Sequence, residues 1–320
     1  MTPLEQAARA AQHAPSIFNT QPWNWRISGK TMELFADPQR RVDSIDRDGR
    51  LLLLSCGAAL HHARTYLAAA GWSLTVERLP EPDRPDLLAR VTLGRPIPPD
   101  PEAARMAAVI SRRRTDRRSF DDDRPVTDVE LTKLRRFVET QGAYLHTVRS
   151  DQTVMLAVAT EIAAVAELDD PAYRADLHRW TNRPGHSGDG VPPATAVRPE
   201  LRRVPVRDFF PDATAELDAG AAHDQGAAYV VLFGRSGHPA DLLRGGEALS
   251  ALLLLATADG LATSPLSDAV EAEWPRRLLR GLISGIGEPY LTVRLGYRHD
   301  REPVPAAPRR DPRDVITSTK

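Results

Sequence analysis

The segment GAALHHARTYLAAAG, residues 57–71, aligns without a gap on GEALSALLLLATADG, residues 246–260. Gly57 falls on Gly246, Ala59 on Ala248, Leu60 on Leu249, Ala69 on Ala258 and Gly71 on Gly260. A strand-like run ending VTLG at 91–94 then answers one ending VRLG at 293–296. Internal similarity constrains a fold more than any single element, because each copy brings the same buried face and the same neighbours. Two buried helices rich in Ala and Leu can also resemble each other through composition alone. The favoured reading is two related halves in one chain, imitating a homodimer, with a mixed sheet covered by core helices in each half.

Local patterns supply the surrounding elements. Residues 4–14 are Ala-rich and helical by propensity, and Pro15 turns the preceding residue away from the helical region. A hairpin is expected from strands at 24–27 and 31–35 around Gly29 and Lys30, followed by a helix at 48–70 ended by Gly71, and strands at 73–78 and 87–94. The proline-rich GRPIPPDPE at 94–102 reads as a linker. Beyond it, helices are predicted at 103–111, 127–141 and 151–168, a strand at 143–149, a strand at 227–234, helices at 240–260 and 271–284, and a strand at 289–297. The tail, 298–320, is charged and proline-rich. Residues 182–226 show little periodicity and many Pro and Gly, which inside a compact domain marks a functional lid or a mobile segment. The expected division is a first half at 1–102 and a second at 103–320, with the lid inserted at about 182–226.

Charge and cysteine content exclude several classes. Lys and Arg total 42 against 43 Asp and Glu, so no global field draws the chain to nucleic acid or to a membrane surface. The apolar runs at 51–60 and 248–262 are too short or too interrupted to span a bilayer, which needs about 20 apolar residues. Cys56, the single cysteine, excludes an internal disulfide and a Cys-rich metal site. With no secretory signal in view, a cytoplasmic location is the default expectation.

Two segments concentrate chemistry. HAPSIFNTQPWNWRI, His13 to Ile27, packs two prolines, three amides, hydroxyls and two tryptophans between a helix and a strand. Pro22 should hold Gln21 extended, so that Asn19 and Gln21 point the same way. In SRRRTDRRSF, 111–120, five of the seven residues from Arg112 to Arg118 are arginine. This is either a solvated basic turn offset by Asp121 to Asp123, or an anion site, since several guanidiniums and a Thr hydroxyl recognise phosphate well. GHSGDGVP, 185–192, lacks the strand and helix of a phosphate loop and reads as part of the lid. His61 and His62 read as ordinary helix-face residues, with no ligand partners at metal spacing. Trp180 is either a cover for a ligand or an anchor for the lid.

PSIFNTQPW resembles the PSxxNxQPW segment of the FMN-dependent nitroreductase family, and RRRTDRRSF resembles its RRSxRxF segment with one extra residue before the Phe. GEALSALLLLATADGLATSPL is similar to that family's long central helix, and PYLTVRLGY to its late core strand. The resemblance covers most of the chain except the lid, and it implies an α+β, nitroreductase-like fold. In the family RRSxRxF precedes PSxxNxQPW in one subunit, and two FMN sites lie at a homodimer interface. Here Pro15 comes about a hundred residues before Arg113. One fused chain would then form one FMN site, as in the Acg-type branch, where a pseudo-dimeric chain carries a lid over the flavin.

Carried over by position, the resemblance assigns Arg113 to the FMN phosphate with Arg114 beside it, Thr115 to the ribityl or ring edge, and Arg117 to the pyrimidine side of the ring. Pro15, Ser16, Ile17 and Asn19 reach the flavin from the other half, and Gln21 extends the polar contacts. Pro265, Leu266, Ser267 and Asp268 fall where the family's loop passes the flavin N5, with Ser267-Asp268 in place of the usual Glu-Gly. Arg310 is chosen over Arg309 and Arg313 for a second phosphate contact. The resemblance implies two-electron transfer from NAD(P)H to a nitroaromatic, quinone or similar acceptor, with no protein acid or base required. The alternative is a protein that stores or sequesters FMN beneath its lid. A monomer that binds flavin and a small acceptor is expected, without nucleic acid or membrane partners.

Overall fold

In the computed structural model, which describes residues 1–198, 200–299 and 302–319, the chain opens on a capping box. Thr2 Oγ1 accepts from Glu5 N at 3.2 Å while the Glu5 carboxylate accepts from Thr2 N at 2.8 Å, which starts helix α1 (Pro3–Ala11). Strands β1 (Trp23–Ser28) and β2 (Thr31–Ala36) form a hairpin turned by Gly29. Alternation in β1 sends Trp23, Trp25 and Ile27 into the core. Helix α2 (Arg50–Ala69) and strands β3 (Trp72–Arg78) and β4 (Leu87–Pro96) complete the first run.

The second run holds α3 (Pro101–Ala107), α4 (Asp128–Glu139), β5 (Tyr144–Thr147), α5 (Thr153–Asp169), α6 (Pro171–Thr181), β6 (Ala228–Gly234) and α7 (Pro239–Ala258). It continues with β7 (Ala262–Leu266), α8 (Asp268–Glu271), α9 (Glu273–Leu282), β8 (Glu288–Gly296), α10 (Pro312–Val315) and β9 (Ile316–Thr319). Two sheets result, one in the order β3-β4-β2-β1-β9 and one in the order β5-β6-β8-β7. The first is mixed, because β9 runs parallel to β1. The second is antiparallel throughout. The class is α+β, as the resemblance implies, but the mixed sheet expected in each half is found only in the first. Among the described residues no helix is long and apolar enough to cross a membrane.

Helices α2 and α7 form the centre. In each, 14 of 20 residues are buried, so neither has a solvent face of the usual width. They meet where the aligned glycines lie. A Cβ on Gly57 would stand 2.1 Å from Leu243 O and 2.9 Å from Gly246 Cα. One on Gly246 would stand 2.1 Å from Leu54 O and 2.8 Å from Gly57 Cα. The obstacle is backbone in both directions, so only the absence of a side chain lets the helices touch. His61 and His62 also face this contact, and the Nδ1 of each lies 2.8 Å from Ser250 Oγ on the opposite helix. Burial holds both imidazoles neutral, His61 down to about 3.

Four elements depart from the sequence expectation. The helix expected at 271–284 breaks at Ala272 into α8 and α9. The stretch ATSPL, expected as a loop, is strand β7; it lies at a sheet edge, where the missing N–H of Pro265 costs no ladder bond. Helix α6 was not anticipated, although Asp170 caps it by accepting from Ala172 N at 2.8 Å and Pro171 starts it. The tail ends in α10 and β9, the latter pairing with residues almost three hundred positions away, beyond the reach of any local pattern.

Candidate functional site

After α1 the backbone turns sharply. Phe18, Asn19 and Gln21 all adopt positive φ, at 46°, 54° and 50°, values that L side chains rarely hold. Gln21 is therefore left-handed rather than extended, contrary to the sequence expectation. The turn is held by Ser16 Oγ, which accepts from Gln21 N at 2.9 Å, and by Ser55 Oγ of α2, which accepts from Ile17 N at 3.2 Å. The two amides tie the loop to distant backbone. Asn19 Nδ2 donates to Gly190 O at 3.0 Å and to Pro308 O at 3.1 Å. Gln21 Nε2 donates to Gly188 O at 2.8 Å, and its Oε1 accepts from Arg310 N at 3.0 Å.

The arginine segment alternates. Asp116 and Arg118 point away from the loop and pair with each other at 2.8 Å, while Arg294 donates to the carbonyls of Asp116 and Arg118 at 3.0 and 2.7 Å. The intervening Arg113, Thr115 and Arg117 face the opposite way, toward Ser16 and Phe18 of the first loop. Two adjoining cavities, each of about 790 Å3, lie between the two loops and share Pro15, Ser16, Phe18, Thr115 and Arg117.

One end is cationic. Arg113, Arg114, Arg117 and Arg309 line it together with His13 and Asn19, and among the described residues no carboxylate does. Arg113 is buried, with one hydrogen bond at 3.3 Å to His13 O among the described residues, where its Nε and Nη1 have no partner. Burial first, then Arg309 and Arg114, pushes this guanidinium down to about 9. Burial and Arg114 push Arg309 down to about 10, and its Nε is also unpartnered. The same cations, after burial, keep His13 on the neutral side. Such a grouping of uncompensated cations calls for an anion.

The other end is mainly apolar. Ile17, Phe18, Leu51, Leu54, Leu249 and Leu291 supply its walls, with Ser55 and Ser264 as polar points. Pro265, Leu266, Ser267 and Asp268 line the same end. Residues Val206, Arg207 and Phe209 of the stretch 182–226 close it, and Gly190, Val191 and Thr195 of that stretch border the cationic end. Phe209 meets Phe18 edge-on at 5.4 Å. Arg117 donates to Thr195 O at 2.8 Å and stacks 4.6 Å from the Phe209 ring centre. Trp180 is fully buried beneath Arg40, Arg179 and Arg183, which stack on its ring 5.2 to 5.5 Å away, and Arg40 and Arg183 also pair with Asp189. It anchors the stretch and lines neither cavity.

Most residues singled out from sequence thus surround one space, but two do not. Gln21 spends its side chain on Gly188, Asn19 and Arg310 backbone, outside both cavities. Arg310 donates to Gln21 O and Trp23 O at 3.1 and 3.2 Å, and Arg309 occupies the cationic end in its stead. Arg313 is exposed and paired with Asp311. Sequence reasoning did not find Phe18, Ser55, Arg207 or Phe209. Only the DFFPD stretch hinted at the last of these, as aromatic residues in an otherwise polar connection.

No family model matches the chain. In Mycobacterium tuberculosis, the protein named "Uncharacterized protein Rv3127" is 37% identical over 319 residues, spanning 98% of this chain and 92% of its own length. "Putative NAD(P)H nitroreductase Rv3131" of the same organism is 35% identical over 96% of this chain and 88% of its own. "Putative NAD(P)H nitroreductase acg", also from that organism, is 36% identical over 96% of this chain and 93% of its own. Among solved structures, the FMN-dependent nitroreductase NfnB from Mycobacterium smegmatis in complex with NADPH aligns at 18% identity and a TM-score of 0.43, over 68% of this chain and 99% of that one.

Proposed function

This chain belongs to the nitroreductase family of its acg-named mycobacterial relatives, and from that premise we propose that it holds one FMN and passes electron pairs from NAD(P)H to a nitroaromatic or quinone. The observation that carries this reading is Arg113, a buried guanidinium with two unpartnered nitrogens among other cations. A phosphate monoester there restores the missing acceptors. The apolar end, next to it, has the lining an isoalloxazine ring needs.

In this reading Arg113, Arg114 and Arg309 hold the phosphate, Thr115 and Asn19 flank the ribityl chain, and Ile17, Leu51 and Leu249 pack on the ring. When bound, the flavin supplies two-electron redox chemistry of its own. Arg117 contributes a fixed cation beside the ring's pyrimidine edge, where reduction concentrates negative charge. Pro15 and Ser16 come from the first half and the arginine segment from the second, so one chain imitates a homodimer and closes a single site. The stretch 182–226 acts as a lid that excludes water.

The lid also favours a second reading. It is fastened to the body at Asn19, Gln21 and Arg117 and by the ion pairs of Arg207, which suits a protein that keeps its flavin out of reach. Purified protein should be yellow, or become so with FMN, and anaerobic NADPH or NADH should bleach it within seconds. A chain that stays colourless with FMN refutes both readings. A spectrum that nicotinamide leaves unchanged but dithionite bleaches replaces the reductase by flavin sequestration. We place the chain in the cytoplasm, consistent with one buried free thiol.

A further inference from the structure

Arg207 enters the apolar end surrounded by more acid than it can neutralise. Its Nη2 lies 2.9 Å from Asp268 Oδ1 and 2.7 Å from Glu271 Oε1, and its Nη1 lies 3.4 Å from Glu167 Oε2. The same Nη1 donates to the Tyr173 hydroxyl at 2.9 Å. The three carboxylate side chains are 8%, 3% and 1% exposed for Glu167, Asp268 and Glu271. Both oxygens of Glu271, Asp268 Oδ1 and Glu167 Oε1 lack an aligned donor among the described residues. Three anions about one cation, away from water, leave charge that burial penalises heavily. A proton removes that excess and turns an orphaned acceptor into a donor to its neighbour.

We infer that Glu167, Asp268 and Glu271 share at least one proton at neutral pH, and that Asp268, which lines the apolar end, delivers it to the acceptor reduced there. Storage stands on the geometry alone, whereas delivery rests on the reductase reading above. A quinone that takes a hydride from reduced flavin becomes a hydroquinone monoanion. The Asp268 O–H bond then breaks, its proton forms the second hydroquinone O–H bond, and a carboxylate remains on Asp268. This departs from the sequence expectation that the reaction needs no protein acid or base.

The cluster has a route for recovering the proton. Glu271 and Asp46 line a neighbouring pocket of about 960 Å3, on the far side of Leu51 and Leu54. Burial first, with Glu271 adding to it, lifts Asp46 to about 6 against the pull of Leu51 N, Leu52 N and Arg41. Burial likewise lifts Glu167 to about 10 and raises Asp268, in both cases against Arg207 and with Glu271 adding. A carboxyl lifted to about 10, as Glu167 is, keeps its proton at pH 7. Arg117 is the other cation facing the cluster, and Tyr173, raised by burial, stays a neutral hydroxyl.

An infrared difference between the full chain and its Glu167→Gln variant at pH 7 tests the store. The wild type should carry a protonated-carboxyl C=O stretch that moves in D2O and is lost or displaced in Glu167→Gln and Asp268→Asn, with near-UV dichroism verifying the fold. No such band, or one that both substitutions leave intact, overturns the inference. Delivery is tested by comparing a quinone with ferricyanide, a one-electron acceptor that takes no proton. Asp268→Asn should slow the quinone about a hundredfold more than ferricyanide, in keeping with general acid catalysis. Equal slowing overturns the donor role. A chain that has the band but reduces neither acceptor refutes delivery and the reductase reading together, and leaves the store standing.

Discussion

Arg113→Ala should empty the flavin site while leaving the flavin-free fold as stable as before, or more so. Among the described residues the guanidinium makes one long hydrogen bond and has no acid partner, so its burial costs the free protein without return. With a phosphate present, the same group supplies charge-assisted bonds of about 1.5–3 kcal/mol, or a factor of roughly ten to over a hundred in affinity. Flavin fluorescence on dilution measures the first effect, and thermal melting of the flavin-free chain the second. Unchanged flavin content would remove the phosphate assignment. A melting point that falls would make Arg113 a structural residue instead.

Gly57→Ala, and equally Gly246→Ala, should damage the fold itself. Each new methyl would have to sit 2.1 Å from a carbonyl oxygen of the facing helix, where no side chain can swing aside. Overpacking of cores costs about 1–3 kcal/mol, and here the backbone of α2 and α7 must separate, so the upper end is expected. At roughly 2–4 °C per kcal/mol for large domains, melting should drop by about 6–12 °C. Gly281→Ala is the control, since a Cβ there meets nothing within 4 Å and its φ is ordinary. Equal melting of Gly57→Ala and Gly281→Ala would mean that the helices do not cross as described.

The two glycines were legible as equivalent positions of a repeat, but not their contact, which depends on how α2 and α7 cross. The alternation of Arg113, Thr115 and Arg117 against Asp116 and Arg118 was half legible. Residue types marked an anion site, but which arginines turn inward depends on Arg294, nearly two hundred residues away, holding the carbonyls between them. That Arg309 and not Arg310 lines the cationic end was hidden for a related reason. Adjacent side chains on an extended stretch face opposite ways, and the register is set by the bond from Gln21 Oε1 to Arg310 N, a contact between the two ends of the chain. Asp268 was found by position but not by role. The role proposed for it rests on Glu167 of α5, on Glu271 three residues along its own helix α8, and on Arg207, which lies inside an unassigned connection of the sequence.

The return of β9 to the first sheet gives the tail a mechanical role. After β8 the chain leaves the second sheet, carries Arg309 past the cationic end of the cavity, and finishes hydrogen-bonded along β1. Arg309 is thus slung between abutments that belong to different sheets, whereas Arg113 is fixed to one of them. Any slip of one sheet against the other changes the spacing of the two guanidiniums directly. With the proposed phosphate in place, its grip would double as a gauge of how the two sheets are seated.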